Sequence, residues 1–99
     1  MGLLRALSGE LASLLGKPES YVMTCFAPTR QLTFAGTDDP CCLAEVANIG
    51  KLAPTDTARV SEALCKRLAA ALSVPGTRIY IRFIDVERHM WGHDGHTFG

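Results

Sequence analysis

No cluster of like charge, no apolar run of membrane-spanning length and no leader-like segment is visible in these 99 residues. Ten basic and ten acidic side chains cancel. Without a Lys and Arg cluster to meet phosphates, nucleic acid is not an expected partner. The longest apolar stretches fall far short of the roughly 20 residues that cross a bilayer, so no membrane association is expected either. Arg5 and Glu10 interrupt Met1 to Leu15, where a secretory leader requires an unbroken apolar core. Cysteine is limited to Cys25, Cys41, Cys42 and Cys65. Cys41 and Cys42 are adjacent and would point to opposite faces of a strand, while Cys65 falls on the apolar side of a predicted helix. Buried free thiols in a reducing compartment are therefore expected, rather than a disulfide or a zinc site.

What is present is a globular composition, 47% hydrophobic and 20% charged, in a chain long enough for one domain with one modest core. Leu3, Leu7, Leu11, Leu14 and Leu15 recur at helical spacing, with Leu4, Ala6 and Ala12 widening the stripe. Gly16 and Pro18 supply a stop. Tyr21 to Ala27 is rich in β-formers and predicts a short buried strand closed by Pro28, and Gln31 to Ala35 reads as an edge strand. The cluster Gly36-Thr37-Asp38-Asp39-Pro40 is a turn, and Cys41 to Ile49 a second main strand ended by Gly50. Thr55 or Asp56 is the expected cap of a second helix, whose apolar line is Val60, Leu64, Cys65, Leu68, Ala71 and Leu72. Pro75-Gly76 breaks it. Ile79 to Ile84 is a third main strand, and a His- and Gly-rich tail follows.

The chain also repeats itself. Leu7, Leu11 and Leu15 match Leu64, Leu68 and Leu72 at a constant offset of 57 residues. The same offset carries Pro18 onto Pro75, Val22 onto Ile79 and Phe26 onto Phe83. The second copy opens with the strand Cys41 to Ile49 and is a complete βαβ unit; the counterpart of that strand falls before Met1. Because a crossover helix covers a parallel pair, a strand is expected to be missing from the first copy. Such a sheet exposes unpaired backbone and is expected to be poorly stable alone, or to borrow a strand from another chain.

Several stretches, in order along the whole chain, resemble the macrophage migration inhibitory factor and D-dopachrome tautomerase family. They are Leu14-Leu15-Gly16-Lys17-Pro18-Glu19-Ser20-Tyr21-Val22, Thr33-Phe34-Ala35-Gly36, Asp39-Pro40-Cys41 and Asn48-Ile49-Gly50-Lys51-Leu52. Arg78-Ile79-Tyr80-Ile81 with Phe83 and Asp85, and the closing Thr97-Phe98-Gly99, complete the set. The resemblance implies a single α/β domain over residues 1–99, with two βαβ units forming a four-stranded sheet under two helices, here without its first strand. It also implies a homotrimer and a keto–enol tautomerase acting on a small aromatic keto or enol acid, of the phenylpyruvate or dopachrome type. No cofactor is implied. Cytoplasmic location is expected, with secretion lacking a signal peptide as in several members.

The family's catalytic base is an amino-terminal proline at the head of the first strand. Met1-Gly2-Leu3 aligns instead with the start of the first helix, and the amide nitrogen of Pro18 has no usable basicity. A base near neutral pKa is needed to move a proton between an α-carbon and an enol oxygen. No catalytic residue is therefore assigned within these residues, and a non-catalytic, cytokine-like or partner-binding module of the same fold is the alternative.

The substrate-binding candidates carried by the resemblance are Lys17, Ile49, Tyr80, Tyr21, Arg82 and Phe98. Lys17 matches the lysine that holds the substrate carboxylate, and is equally well placed as a charge at a helix C-terminus. Ile49 matches a position whose backbone faces substrate. Tyr21 and Tyr80 match pocket aromatics, Tyr80 from a neighbouring subunit, or else pack in an interface. Phe98 matches the aromatic at the pocket mouth. Arg82 shares a strand face with Tyr80; it either forks onto a carboxylate or pairs with Asp85 or Glu87. Trp91 and His93 stand where the family pocket has other residue types. His89, His93 and His96 are not expected to hold a metal, since Gly92 and Gly95 favour a loop. Cys41 matches one cysteine of a redox-like pair whose partner position is Ala44, so thiol–disulfide chemistry is not expected.

Overall fold

A computed structural model describes residues 1–29 and 31–99. The predicted helices form as α1, Gly2–Leu15, and α2, Pro54–Leu72. The two strands of the second copy form as β1, Cys42–Ile49, and β2, Ile79–Val86, paired in parallel from Cys42 opposite Ile79 to Ile49 opposite Val86. A two-residue hairpin in the tail supplies β3, Gly92–His93, and β4, His96–Thr97.

The internal repeat extends to features that leucine spacing alone does not report. Gly16 and Ser73, 57 positions apart, both end their helices in the left-handed region, at φ 63° and 55°. In each copy the next residue's N–H reaches back five positions, Lys17 to the Ala12 carbonyl and Val74 to the Ala69 carbonyl, which is a Schellman stop. Each helix is then followed by a proline and one 3₁₀ turn, Glu19–Tyr21 in the first copy and Gly76–Arg78 in the second. Arg67 Nε donates to Glu10 Oε1 at 2.7 Å, so equivalent positions of the two helices touch each other. Contact between equivalents is what a pseudo-twofold axis produces.

Both helices lie on one face of the β1–β2 sheet. Leu7, Leu11 and Leu14 from α1 and the buried Val60 and Leu64 from α2 pack on Val46, Ile81 and Phe83. A second cluster joins Leu68, Val74 and Ile79 to Leu3 and Leu72. The opposite face, carrying Leu43, Glu45, Tyr80 and Arg82, is exposed. With a Cα radius of gyration of 14.6 Å the chain is more extended than the ~13 Å of a filled domain of about 100 residues.

Several expectations are corrected here. Tyr21 to Ala27 is not a strand: Tyr21 closes a 3₁₀ turn, and residues 22–29 enter no ladder. β-propensity measures fit to a neighbour as much as to a conformation, and among the described residues the strand paired with β1 is β2 alone. Gln31 to Ala35 makes a single antiparallel bridge, Phe34 to Thr37, in place of an edge strand. The second helix begins earlier than Thr55: Ala53 is its N-cap and Pro54 its first residue. Asp56 contributes from the third position, where Oδ2 accepts the Ala53 N–H at 3.0 Å. Ala71 is exposed, off the apolar line. The thiols are free as expected but are not buried: Cys25 is exposed and the other three are half-buried. The three histidines lie in a 3₁₀ turn and a hairpin rather than an open loop.

Candidate functional site

The Schellman stop of α1 decides where Lys17 goes. Val74, its equivalent in the second copy, is buried in the core, whereas Lys17 sends its head across to the end of β1. There Nζ donates to the Ile49 carbonyl at 2.7 Å, a contact 32 residues apart in sequence. The carbonyl is available for a definite reason. The Gly50 N–H of the same peptide bonds the Val86 carbonyl in β2 at 2.9 Å, so the Ile49 oxygen points away from β2, onto the free edge. Lys17 and Ile49 are thus brought together, with two ammonium protons left to donate elsewhere.

Backbone alternation places the N–H and C=O groups of Leu43, Glu45 and Ala47 on the same free edge. Asn48, on the helix-covered face beside it, is 5% exposed, and its Oδ1 has no hydrogen-bond partner among the described residues. A buried acceptor without a partner is uncommon in a stable core.

The second group is aromatic. Tyr21, at the end of the first 3₁₀ turn, meets the rings of His93 and Phe98 edge-on, each at 5.7 Å between centroids. His93 and Phe98 lie nearly parallel at 5.8 Å and 18°. The tail achieves this by turning at Asp94-Gly95, both at positive φ, a two-residue hairpin loop. Arg88 Nε donates to the Phe98 carbonyl at 2.8 Å, and the Phe98 N–H bonds Trp91 O at 3.2 Å, which fixes the ring.

Tyr80 and Arg82 lie elsewhere. Tyr80 pairs with Leu43 at the start of the ladder, six positions and therefore about 20 Å along the strand from Ile49. Its ring leans on Phe34 at 4.8 Å, beside a cavity of about 290 Å³ bounded by Leu32, Cys41, Cys42 and Leu43. Phe34 is itself held under the Arg78 guanidinium, 5.3 Å from the ring centre, while Arg78 donates to the Phe34, Asp39 and Pro40 carbonyls. Arg82 is in an ion pair, but with Glu45, at 3.0 Å, and not with Asp85 or Glu87. Parallel register sets Glu45 opposite Arg82 on the same exposed face, while Asp85 instead accepts the Leu52 N–H ahead of α2.

Arg88, which the sequence did not single out, lines a wide groove of about 720 Å³ with Gly50, Lys51, Asp85, Glu87 and His89. It lies beyond the C-terminal ends of the parallel strands, a common place for ligands in open α/β sheets. No motif marks Arg88; only its position past the strand ends does. Two groups among the described residues have perturbed proton affinity. Burial pushes the Cys42 thiol up, and the neighbouring Cys41 and Cys65 add to it. The hydrogen bond and charge of Glu10 raise Arg67 above its ordinary value. No helix among the described residues is long and apolar enough to cross a membrane.

Comparison with known proteins agrees along the whole chain. Residues 1–99 match the family model described as macrophage migration inhibitory factor (MIF). The macrophage migration inhibitory factor of Meriones unguiculatus is 37% identical over 97 residues, covering 98% of this chain and 84% of that protein. The homologue from Brugia malayi is 38% identical over 96 residues, with coverage of 97% and 84%. Among solved structures, the homologue from Prochlorococcus marinus superposes with a TM-score of 0.88 at 46% identity, over 99% of this chain and 86% of that one. The Trichinella spiralis protein does so at 0.91 and 30% identity, over 97% and 85%. The chain belongs to the macrophage migration inhibitory factor family.

Proposed function

We propose that this chain is a keto–enol tautomerase of the MIF type, acting on a small aromatic keto or enol acid within a homotrimer. The observation that carries the reading is the Lys17–Ile49 contact at 2.7 Å. Two positions that match the family's substrate-facing residues, from distant segments, meet at one strand end. In this reading Lys17 holds the substrate carboxylate with its free ammonium protons, and Tyr21 and Phe98 give the aryl ring an apolar wall. Tyr80 and Arg82, about 20 Å and about 13 Å away along the strand, reach the site only from a neighbouring subunit. That geometry favours an assembly in which subunits share sites. The base that moves the proton is, by family resemblance, an amino-terminal proline, which these 99 residues do not supply; the residues described here bind and orient.

The test is tautomerisation of phenylpyruvate, followed by enol absorbance. It is run with the 99-residue chain and with a form extended by a relative's first strand beginning with proline. Turnover by the extended form, with KM raised about tenfold or more by Lys17→Ala, is expected, since a charge-assisted carboxylate contact contributes about 1.5–3 kcal/mol. An extended form that is folded and trimeric yet inactive would overturn the reading and leave a non-catalytic binding module.

A further inference from the structure

Of the three rings that meet at Tyr21, His93 and Phe98, the imidazole is the one that a proton turns into a cation. We infer that His93 is a proton-dependent anion-binding residue of the site proposed above, selecting planar aryl carboxylates more strongly as pH falls. The inference rests on that functional reading for the identity of the site, and on the ring geometry for the residue.

Three observations carry it. The His93 ring is stacked on Phe98 and lies edge-on to Tyr21, so it belongs to the same wall as two candidate substrate contacts. Its imidazole has no ion-pair or hydrogen-bond partner among the described residues; the histidine that pairs with a carboxylate is His89, with Glu87 at 3.3 Å. A proton on His93 is thus not already neutralised by the protein. Finally, the Asp94-Gly95 hairpin holds the ring on a defined backbone.

Other charges surround it. Asp94 follows it in the turn, and His96 is its direct cross-strand partner. Glu19 shares the 3₁₀ turn with Tyr21, Lys17 precedes that turn, and Arg88 is bound to the Phe98 carbonyl. Lys17 and Arg88 are the basic groups around the ring, and Asp94 and Glu19 the acidic ones. His96 is the second imidazole beside it, so the two histidines are told apart by substitution. An aryl carboxylate stays ionised between about pH 5.5 and 8. Its affinity therefore follows the protonation of the residue it touches.

The experiment uses trans-cinnamate as probe, titrated into the full chain at pH 5.5 and 8.0, with the His93 ring followed by NMR. Binding three- to fivefold tighter at pH 5.5 is expected, the size of an exposed ion pair. By linkage, the His93 pKa rises by about 0.5–0.7 when cinnamate is bound. His93→Phe keeps a stacking ring and removes the pH dependence, whereas His96→Asn retains it. Cinnamate binding that is independent of pH, or a dependence that survives His93→Phe or disappears with His96→Asn, would overturn the role of His93 and leave the site intact. Failure of the folded wild-type chain to bind cinnamate at either pH would overturn the site along with it. The NMR readout in the wild type decides the matter even where the variant does not fold.

Discussion

Arg67 donates to Glu10 at 2.7 Å, and the two residues occupy equivalent positions in the two copies of the repeat, 57 residues apart. An ion pair on the axis relating two helices fixes their rotation about each other. Glu10→Arg and Arg67→Glu are each expected to lower the urea midpoint, by placing like charges opposite one another. The double exchange is expected to recover most of the loss, which a double-mutant cycle measures.

Asn48 is the buried polar side chain of the core, with Oδ1 unpartnered among the described residues. Its carbonyl gives up water without a replacement bond. Asn48→Leu, close in shape, is expected to stabilise the chain by about 1 kcal/mol, checked by urea denaturation, while an unchanged or lower midpoint would indicate a partner for Oδ1 in solution.

The free edge of β1 makes a residue-by-residue prediction for amide hydrogen exchange. The N–H groups of Ala44, Val46 and Asn48 point into the ladder with β2 and are expected to be protected. Those of Leu43, Glu45 and Ala47 point to the free edge and are expected to exchange rapidly. Equal protection of the two sets would mean that the edge is covered in solution.

Thiol chemistry distinguishes the cysteines. Cys25 is exposed, whereas burial raises the Cys42 pKa. Iodoacetamide at pH 8 is expected to modify Cys25 first and Cys42 more slowly, because the thiolate is the reacting form. The folded Cys42 holds its proton where the unfolded thiol has released it. The associated stability is complete below the ordinary thiol pKa and is lost as pH rises through the folded value, so the urea midpoint falls in that alkaline range.

Much of the architecture was readable from local pattern. Leucine spacing placed both helices, Gly16 and Pro18 placed the first stop, and β-branched and apolar runs placed strands at Cys41 to Ile49 and Ile79 to Ile84, observed as Cys42–Ile49 and Ile79–Val86. The site was readable only in part. Lys17, Ile49, Tyr21 and Phe98 were named through their family-like motifs, and each gained a partner in space. For Arg82 the sequence offered a ligand carboxylate or an acid close in sequence, and the structure pairs it with Glu45 across the ladder. The resemblance put His93 and Tyr21 at one pocket, but the ring contact between them was not legible, because nothing in a Gly-rich tail reveals how it folds back.

The sequence by itself determined the elements whose information is local: periodicity, the first helix stop and the 57-residue repeat, which recurs in the helix stops and 3₁₀ turns. Only the tertiary structure decided what depends on a neighbour. It joined Lys17 to Ile49 and Glu10 to Arg67, brought His93 to Tyr21, and left residues 22–29 outside any ladder despite their β-forming composition. The physical reason is common to all four. A helix satisfies its own backbone, whereas a strand, an ion pair or a ring contact exists only when another segment arrives to complete it.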